Sequence, residues 1–290
     1  MELQKIIAQI DAVSIPKDAT ITQLKHEEDN APYQVWKIDA GDVAYILKEA
    51  KGNEKEFYSS CLATAQGSVP AVYQMIPMEE KTYLLMECIE GEDLCRCNRT
   101  KLTLALDALI SLQQKNWETG ALDDYDQSLA HRQNRGRYLN DALLEAAYEK
   151  FLRVYQSLPK TLCHDDLLPF NIISCKERAV LIDWECGGML PYPTSFARFI
   201  AHTEEDPNAL FYMTEADKQF AIGYYYDHLL KEKGISEQDW RKTLEYFLFY
   251  EYCEWVFVGN RYQATDGEYY QKYLPIAKQQ AAKIMKTESK

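Results

Sequence analysis

Several things are scarce or missing in this chain, and each absence removes a class of function. No run of about 18 uninterrupted apolar residues occurs, so a membrane-spanning helix is not expected. The opening stretch, MELQKIIAQIDAVSIPKD, carries charges throughout and reads as an amphipathic helix, not a signal peptide. Positive charge is short: 32 Lys and Arg face 45 Asp and Glu, a formal charge of −13, which repels nucleic acid and anionic membrane as a whole. The eight cysteines are scattered, with only Cys95 and Cys97 close together, and C-x-C without a second cluster is not a zinc pattern. They are read as free thiols of a cytoplasmic protein. His26, His131, His202 and His228 share no metal-like spacing, and no Gly-x-Ser-x-Gly elbow is present for a serine hydrolase. Internal repeats and low-complexity segments are absent too. What remains is an acidic chain of 290 residues, 47% hydrophobic, long enough for a two-lobed domain with a full core, and with a charge that would favour a cationic ligand.

The chemistry concentrates between Leu162 and Glu185, LCHDDLLPFNIISCKERAVLIDWE. An apolar approach reaches His164, Asp166 follows, and Asn171 lies five residues further on. Two apolar runs, Ile172-Ile173 and Ala179–Ile182, flank the polar turn Lys176-Glu177-Arg178, and the second run ends on Asp183. This layout predicts a strand end, a catalytic loop and a β-hairpin whose two ends bring Asn171 and Asp183 together. Phosphoryl transfer from ATP needs such parts. A carboxylate, Asp166, would take the proton of the acceptor hydroxyl, while an amide oxygen and a second carboxylate, Asn171 and Asp183, would hold Mg²⁺ against the phosphates.

The pattern His-x-Asp-x-x-x-x-Asn followed by Ile-Asp-Trp-Glu resembles the aminoglycoside phosphotransferase and choline kinase superfamily, small-molecule relatives of the protein kinases. The resemblance implies an α+β, protein-kinase-like two-lobed fold. A small five-stranded antiparallel β lobe with one helix would span 1–89 and bind the nucleotide. A larger, mainly helical lobe, 90–290, would carry catalysis and the acceptor site.

Taken in order, the chain fits that plan. Leu3, Ile6, Ile7, Ile10 and Val13 share a helical face over 2–13. Strand-like runs follow at Ala19–Leu24, Tyr33–Ile38, Val43–Leu47, Ser68–Tyr73 and Thr82–Cys88, the first two joined by an acidic, glycine-free link at 26–32. Lys48 ends the third run. A helix is expected after Asn53, with Phe57, Cys61 and Leu62 as its apolar face. By resemblance, Lys48 would grip the α- and β-phosphates and pair with Glu56; Glu54, in the first turn, is the rival partner but suits a dipole role. Also by resemblance, the lobes hinge near 87–91, where the carbonyl of Glu87 and the amide of Ile89 would bond adenine. The glycine-rich G-x-G-x-x-G loop of protein kinases is missing. Helices are expected at 101–117, 137–158, 216–233, 237–261 and 269–286, with 118–135 a surface loop.

Two positions depart from the family. Asp165 stands where relatives usually have Gly, so it would either raise the pKa of Asp166 by repulsion or point to solvent. Ser195 stands where an Asp usually opens a helix and braces the catalytic loop. Ser can still cap that helix, but the bracing charge is gone. His164 reads as structural. Glu185, Glu254 and Trp255 are candidates for the acceptor side, though most aromatics after residue 214 should be core.

The expected activity is an ATP- and Mg²⁺-dependent transfer of the γ-phosphate to a hydroxyl of a small molecule, an aminoglycoside-like antibiotic, a choline-like amino alcohol or a sugar, by a monomer or homodimer. The alternative is a catalytically silent kinase-fold module that binds a metabolite or a protein. It would show loss of Lys48, Asp166, Asn171 or Asp183, and all four are present. A protein kinase is disfavoured by the missing Asp-Phe-Gly and Ala-Pro-Glu.

Overall fold

The computed structural model describes residues 2–25, 31–63, 65, 67–120 and 125–286. Most of the acidic link expected at 26–32 therefore lies outside the described residues. Strands β1 (Thr20–Lys25), β2 (Pro32–Ala40), β3 (Val43–Glu49), β4 (Val72–Met78) and β5 (Lys81–Glu87) form one antiparallel sheet in the order β1-β2-β3-β5-β4. In β5, Tyr83 and Leu85 face one side and Leu84 and Met86 the other, the two-residue alternation of a strand covered on both faces. The first side makes a small core with Ile6, Trp36, Ile38, Leu47 and Ile76 beneath helix α1 (Glu2–Ile7). The second side joins the main core of the molecule, through helix α2 (Glu54–Ser59). Lys48 follows Leu47 and so points to this second side, toward α2.

Two differences from expectation lie here. The first helix stops at Ile7, because the amides of Asp11 and Ala12 donate to Gln74 Oε1, at 2.9 and 3.2 Å, in place of helical carbonyls. The fourth strand runs later than Ser68–Tyr73 and passes through Pro77, which an edge strand tolerates because no neighbour needs its missing N–H.

Beyond Glu87 the chain adds strand β6 (Glu92–Asp93) to a hairpin made of β8 (Ile172–Ser174) and β9 (Ala179–Leu181). The crossing is tight: a Cβ on Gly91 would stand 2.4 Å from the carbonyl oxygen of Ser174. Helices α3 (Arg99–Lys115), α4 (Tyr125–Gly136) and α5 (Ala142–Ser157) follow, then β7 (Lys160–Cys163), which leads into the catalytic loop and pairs with β10 (Gly188–Pro191). Helices α6 (Pro193–Ala201), α7 (Glu215–Tyr225), α8 (Glu237–Arg261) and α9 (Glu268–Lys286) complete the lobe. Among the described residues no helix is long and apolar enough to cross a membrane.

The segment expected as a loop, 118–135, thus contains α4. It was invisible to periodicity because its only buried side chain is a cation, Arg132. The helix expected from Arg137 starts instead at Ala142. Asn140 turns the chain with φ +53°, and the Asp141 side chain accepts from the amides of Leu143 and Leu144 at 3.1 and 3.2 Å.

Candidate active site

Three segments converge on the site. From the sheet, Lys48 Nζ donates to Glu54 Oε1 at 2.8 Å and also bonds Asp183. Glu54 is fully buried, whereas Glu56 is exposed on the far side of α2. This corrects the pairing of Lys48 with Glu56. Positions three and four apart share a helical face, so Glu54 lies with the buried Phe57 and Tyr58, and Glu56 does not. Burial opposes charge on Lys48, but Glu54 and Asp183 outweigh it and raise its pKa. Burial likewise pushes Glu54 up, against the pull of Lys48.

Asn53 sits at the N-cap position of α2 but does not cap it. Its side chain donates to the carbonyl of Gly187 at 3.3 Å and its amide to that of Glu185, also at 3.3 Å. Gly52 makes this approach possible: it holds φ +51°, and a Cβ there would lie 2.1 Å from the Glu185 carbonyl oxygen.

From the hairpin come Asn171 and Asp183. The buried Asn171 donates its side-chain amide to the backbone carbonyl of Asp166 at 2.8 Å, which leaves Oδ1 as its metal-competent atom. Ile182 N donates to Asn171 O at 3.0 Å, tying the two ends of the hairpin. Asp183 takes the left-handed conformation, φ 66° and ψ 59°, which Asp tolerates better than most residues. An amide oxygen beside a carboxylate is a hard, all-oxygen donor set, and it suits Mg²⁺.

From the loop after β7 come His164, Asp165 and Asp166. His164 is buried: its Nε2 lies 2.6 Å from the Ile182 carbonyl, its ring packs on Trp184, and its backbone N donates to Ser195 Oγ at 2.8 Å. Burial lowers its pKa. Ser195 therefore braces the catalytic loop after all. It does not cap α6, whose N-cap is Tyr192, because it lies inside the first turn with its hydroxyl turned to the loop.

Asp165, half-buried, turns away from Asp166: the buried Arg132 of α4 grips it. That guanidinium also lies over the rings of Tyr155 and Tyr250, at 4.7 and 5.0 Å. Asp166 is held by Arg198 of α6, whose Nη2 and Nε stand 2.8 and 3.1 Å from Oδ1. The same guanidinium bonds Glu251 at 3.0 Å, and Glu254. Burial would push Glu254 up, but Arg198 and Arg135, with His202, hold it below the ordinary glutamate value. His202, Glu251 and Glu254 are close enough to hold a metal ion, but the cation among them is this guanidinium. No motif pointed to Arg132, Arg135 or Arg198; only Arg198, three residues beyond Ser195 on the same helix, carried a positional hint.

Of the other expected residues, Glu87 ends β5 with its carboxylate on Arg178, and Ile89 lies half-buried just past the strand. Glu185 contributes its backbone carbonyl to the junction with Asn53. Trp255 stacks on Tyr269 with ring centroids 4.3 Å apart, at the edge of the Glu251–Glu254 cluster.

Residues 20–226 match the phosphotransferase enzyme family. No curated protein matches the sequence. Among solved structures, the chain is similar to a choline kinase from Cryptosporidium parvum Iowa II (15% identity, 98% of this chain and 97% of that one, TM-score 0.64). It is also similar to an amicoumacin kinase in complex with AMP-PNP, Ca²⁺ and Ami (15%, 99% and 93%, TM-score 0.63). A third likeness is to a type VIII aminoglycoside-3'-phosphotransferase (17%, 88% and 97%, TM-score 0.57). At these identities the likeness is one of fold: a protein-kinase-like sheet lobe on a helical lobe.

Proposed function

We propose, from the premise that this chain belongs to the phosphotransferase enzyme family, that it transfers the γ-phosphate of ATP to a hydroxyl of a small molecule. The observation that carries the reading is the meeting of three segments at one point. Lys48, held by Glu54, lies on Asp183, while Asn171 is oriented by the backbone of Asp166. Lys48 binds the α- and β-phosphates, and the backbone of Glu87 and Ile89 receives adenine. Asn171 Oδ1 and Asp183 hold Mg²⁺, which when bound supplies positive charge to offset that of the phosphates. Asp166 orients the acceptor hydroxyl and takes its proton as the oxygen–phosphorus bond forms and the bond from the γ-phosphorus to the bridging oxygen breaks, releasing ADP. Little covalent work falls to the protein; positioning and charge neutralisation lower the barrier.

The similar structures are a choline kinase, an aminoglycoside-3'-phosphotransferase and an amicoumacin kinase in complex with Ami. The acceptor here is taken to be a hydroxylated small molecule bound beside Asp166, with Glu185, Glu254 and Trp255 at its margin. Because Glu254 is already shared by two arginines, a strongly polycationic acceptor has fewer free carboxylates to meet than the net charge suggests. The test is ADP release from ATP and Mg²⁺ against aminoglycosides, macrolides, choline, ethanolamine, methylthioribose and homoserine. Asp166→Ala is expected to lower acceptor-stimulated turnover by roughly 100- to 10,000-fold while nucleotide binding, read by thermal shift, is kept. Loss of nucleotide binding in that variant would remove Asp166 from the role of base.

A further inference from the structure

We infer that Arg198 is a positioning residue for the transfer: it holds one oxygen of Asp166 so that the other is presented to the acceptor hydroxyl. The inference rests on the reading of Asp166 as the base.

Three observations carry it. The first is geometric. Nε and Nη2 of Arg198 both converge on Oδ1 of Asp166, at 3.1 and 2.8 Å, and among the described residues no other side chain bonds this carboxylate. A planar guanidinium that meets one oxygen with two N–H groups restricts the rotation of the carboxylate and leaves Oδ2 uncommitted.

The second is rigidity. Arg198 is itself held on its other edge by Glu251 and Glu254 from α8, and Nη1 lies 3.4 Å from His202 Nε2, whose Nδ1 is 2.9 Å from Tyr273 Oη. Ser195, one turn earlier on the same face of α6, fastens the backbone of the loop but touches no carboxylate. The backbone brace and the side-chain brace are thus separate residues, three positions apart.

The third is charge. Asp166, Glu251 and Glu254 surround the Arg198 guanidinium, and Arg135, 3.4 Å from Glu254, offsets one of the two excess negative charges, so the cation is held in place from both sides.

The test compares Arg198→Met with Arg198→Met/Glu251→Gln, since Glu251 is buried and its pairing must not be left broken in the variant that is read. With ATP, Mg²⁺ and whichever alcohol the wild type accepts, or water when none is supplied, kcat should fall by about 100-fold in both variants with KM for ATP unchanged. Added guanidinium ion should restore part of the rate to Arg198→Ala. A rate equal to wild type in the double variant, or a loss that appears wholly in KM, would overturn the inference. Crystal structures of wild type and the double variant provide an arm independent of turnover. Asp166 should lose its single orientation, and an unchanged carboxylate would refute the positioning role. A wild type that releases no ADP sinks the phosphotransferase reading, and the crystallographic arm still decides this one.

Discussion

The two ends of the site are built from opposite kinds of cation. At the proposed nucleotide end one lysine stands between two carboxylates, Glu54 fully buried and Asp183 with 41% of its side chain exposed. At the proposed acceptor end two adjacent aspartates are each gripped by an arginine from a different helix, Asp165 by Arg132 of α4 and Asp166 by Arg198 of α6. An ammonium is a compact charge on a flexible stem, able to move from a carboxylate to a phosphate. A guanidinium is a planar fork that fixes the direction of what it holds. On the proposed function, the first end regroups when a nucleotide arrives and the second keeps one geometry throughout.

That contrast can be broken most forcefully at Lys48. Its removal as Lys48→Met leaves the buried Glu54 carboxylate with only the Lys51 amide, 3.1 Å from Oε2, which should cost about 3–5 kcal/mol in urea unfolding, the usual penalty for stranding one member of a buried ion pair. Lys48→Met/Glu54→Gln should recover most of that stability but no nucleotide response. If the single variant is as stable as wild type, the nucleotide end does not hang on one cation.

The loop between the two ends gives a smaller, pH-dependent signature. His164 is buried with its pKa held below the ordinary 6.5. The folded protein therefore resists a proton that the unfolded chain accepts. This contribution is constant above about pH 6.5 and costs stability as the pH falls below it. Thermal unfolding from pH 7.5 to 5 should show a Tm loss that His164→Asn flattens; parallel slopes would mean that other groups set the acid sensitivity. The smallest effect is expected at Glu56, which bonds nothing in the site. Glu56→Ala should stay within about 0.5 kcal/mol of wild type with ATP handling unchanged.

Much of this was legible in the chain because local spacing dictates it. The hairpin that joins Asn171 to Asp183 follows from two apolar runs around a polar turn, and α8 from periodicity. Glu54 was equally legible, three residues before Phe57 on the buried face, but the expectation of an acidic first turn obscured it. The arginines were not. Arg132 is buried only because Asp165, Tyr155 and Tyr250 come from distant parts of the chain, and a buried cation reads in sequence as a solvated one. The Ser195 brace was hidden for a related reason: a hydroxyl can replace a carboxylate when its partner is a single backbone N–H, and that partner is visible only in three dimensions.

Gly52 has a bearing on the joint between the lobes. Its missing side chain lets the turn ahead of α2 rest directly on the backbone that follows Asp183. Any methyl group there would act as a shim, prising the lysine-bearing sheet off Asp183, the aspartate that Lys48 bonds. The clearance between the two halves is set there by one hydrogen atom, so the alignment of Lys48 with Asp183 is a matter of steric contact.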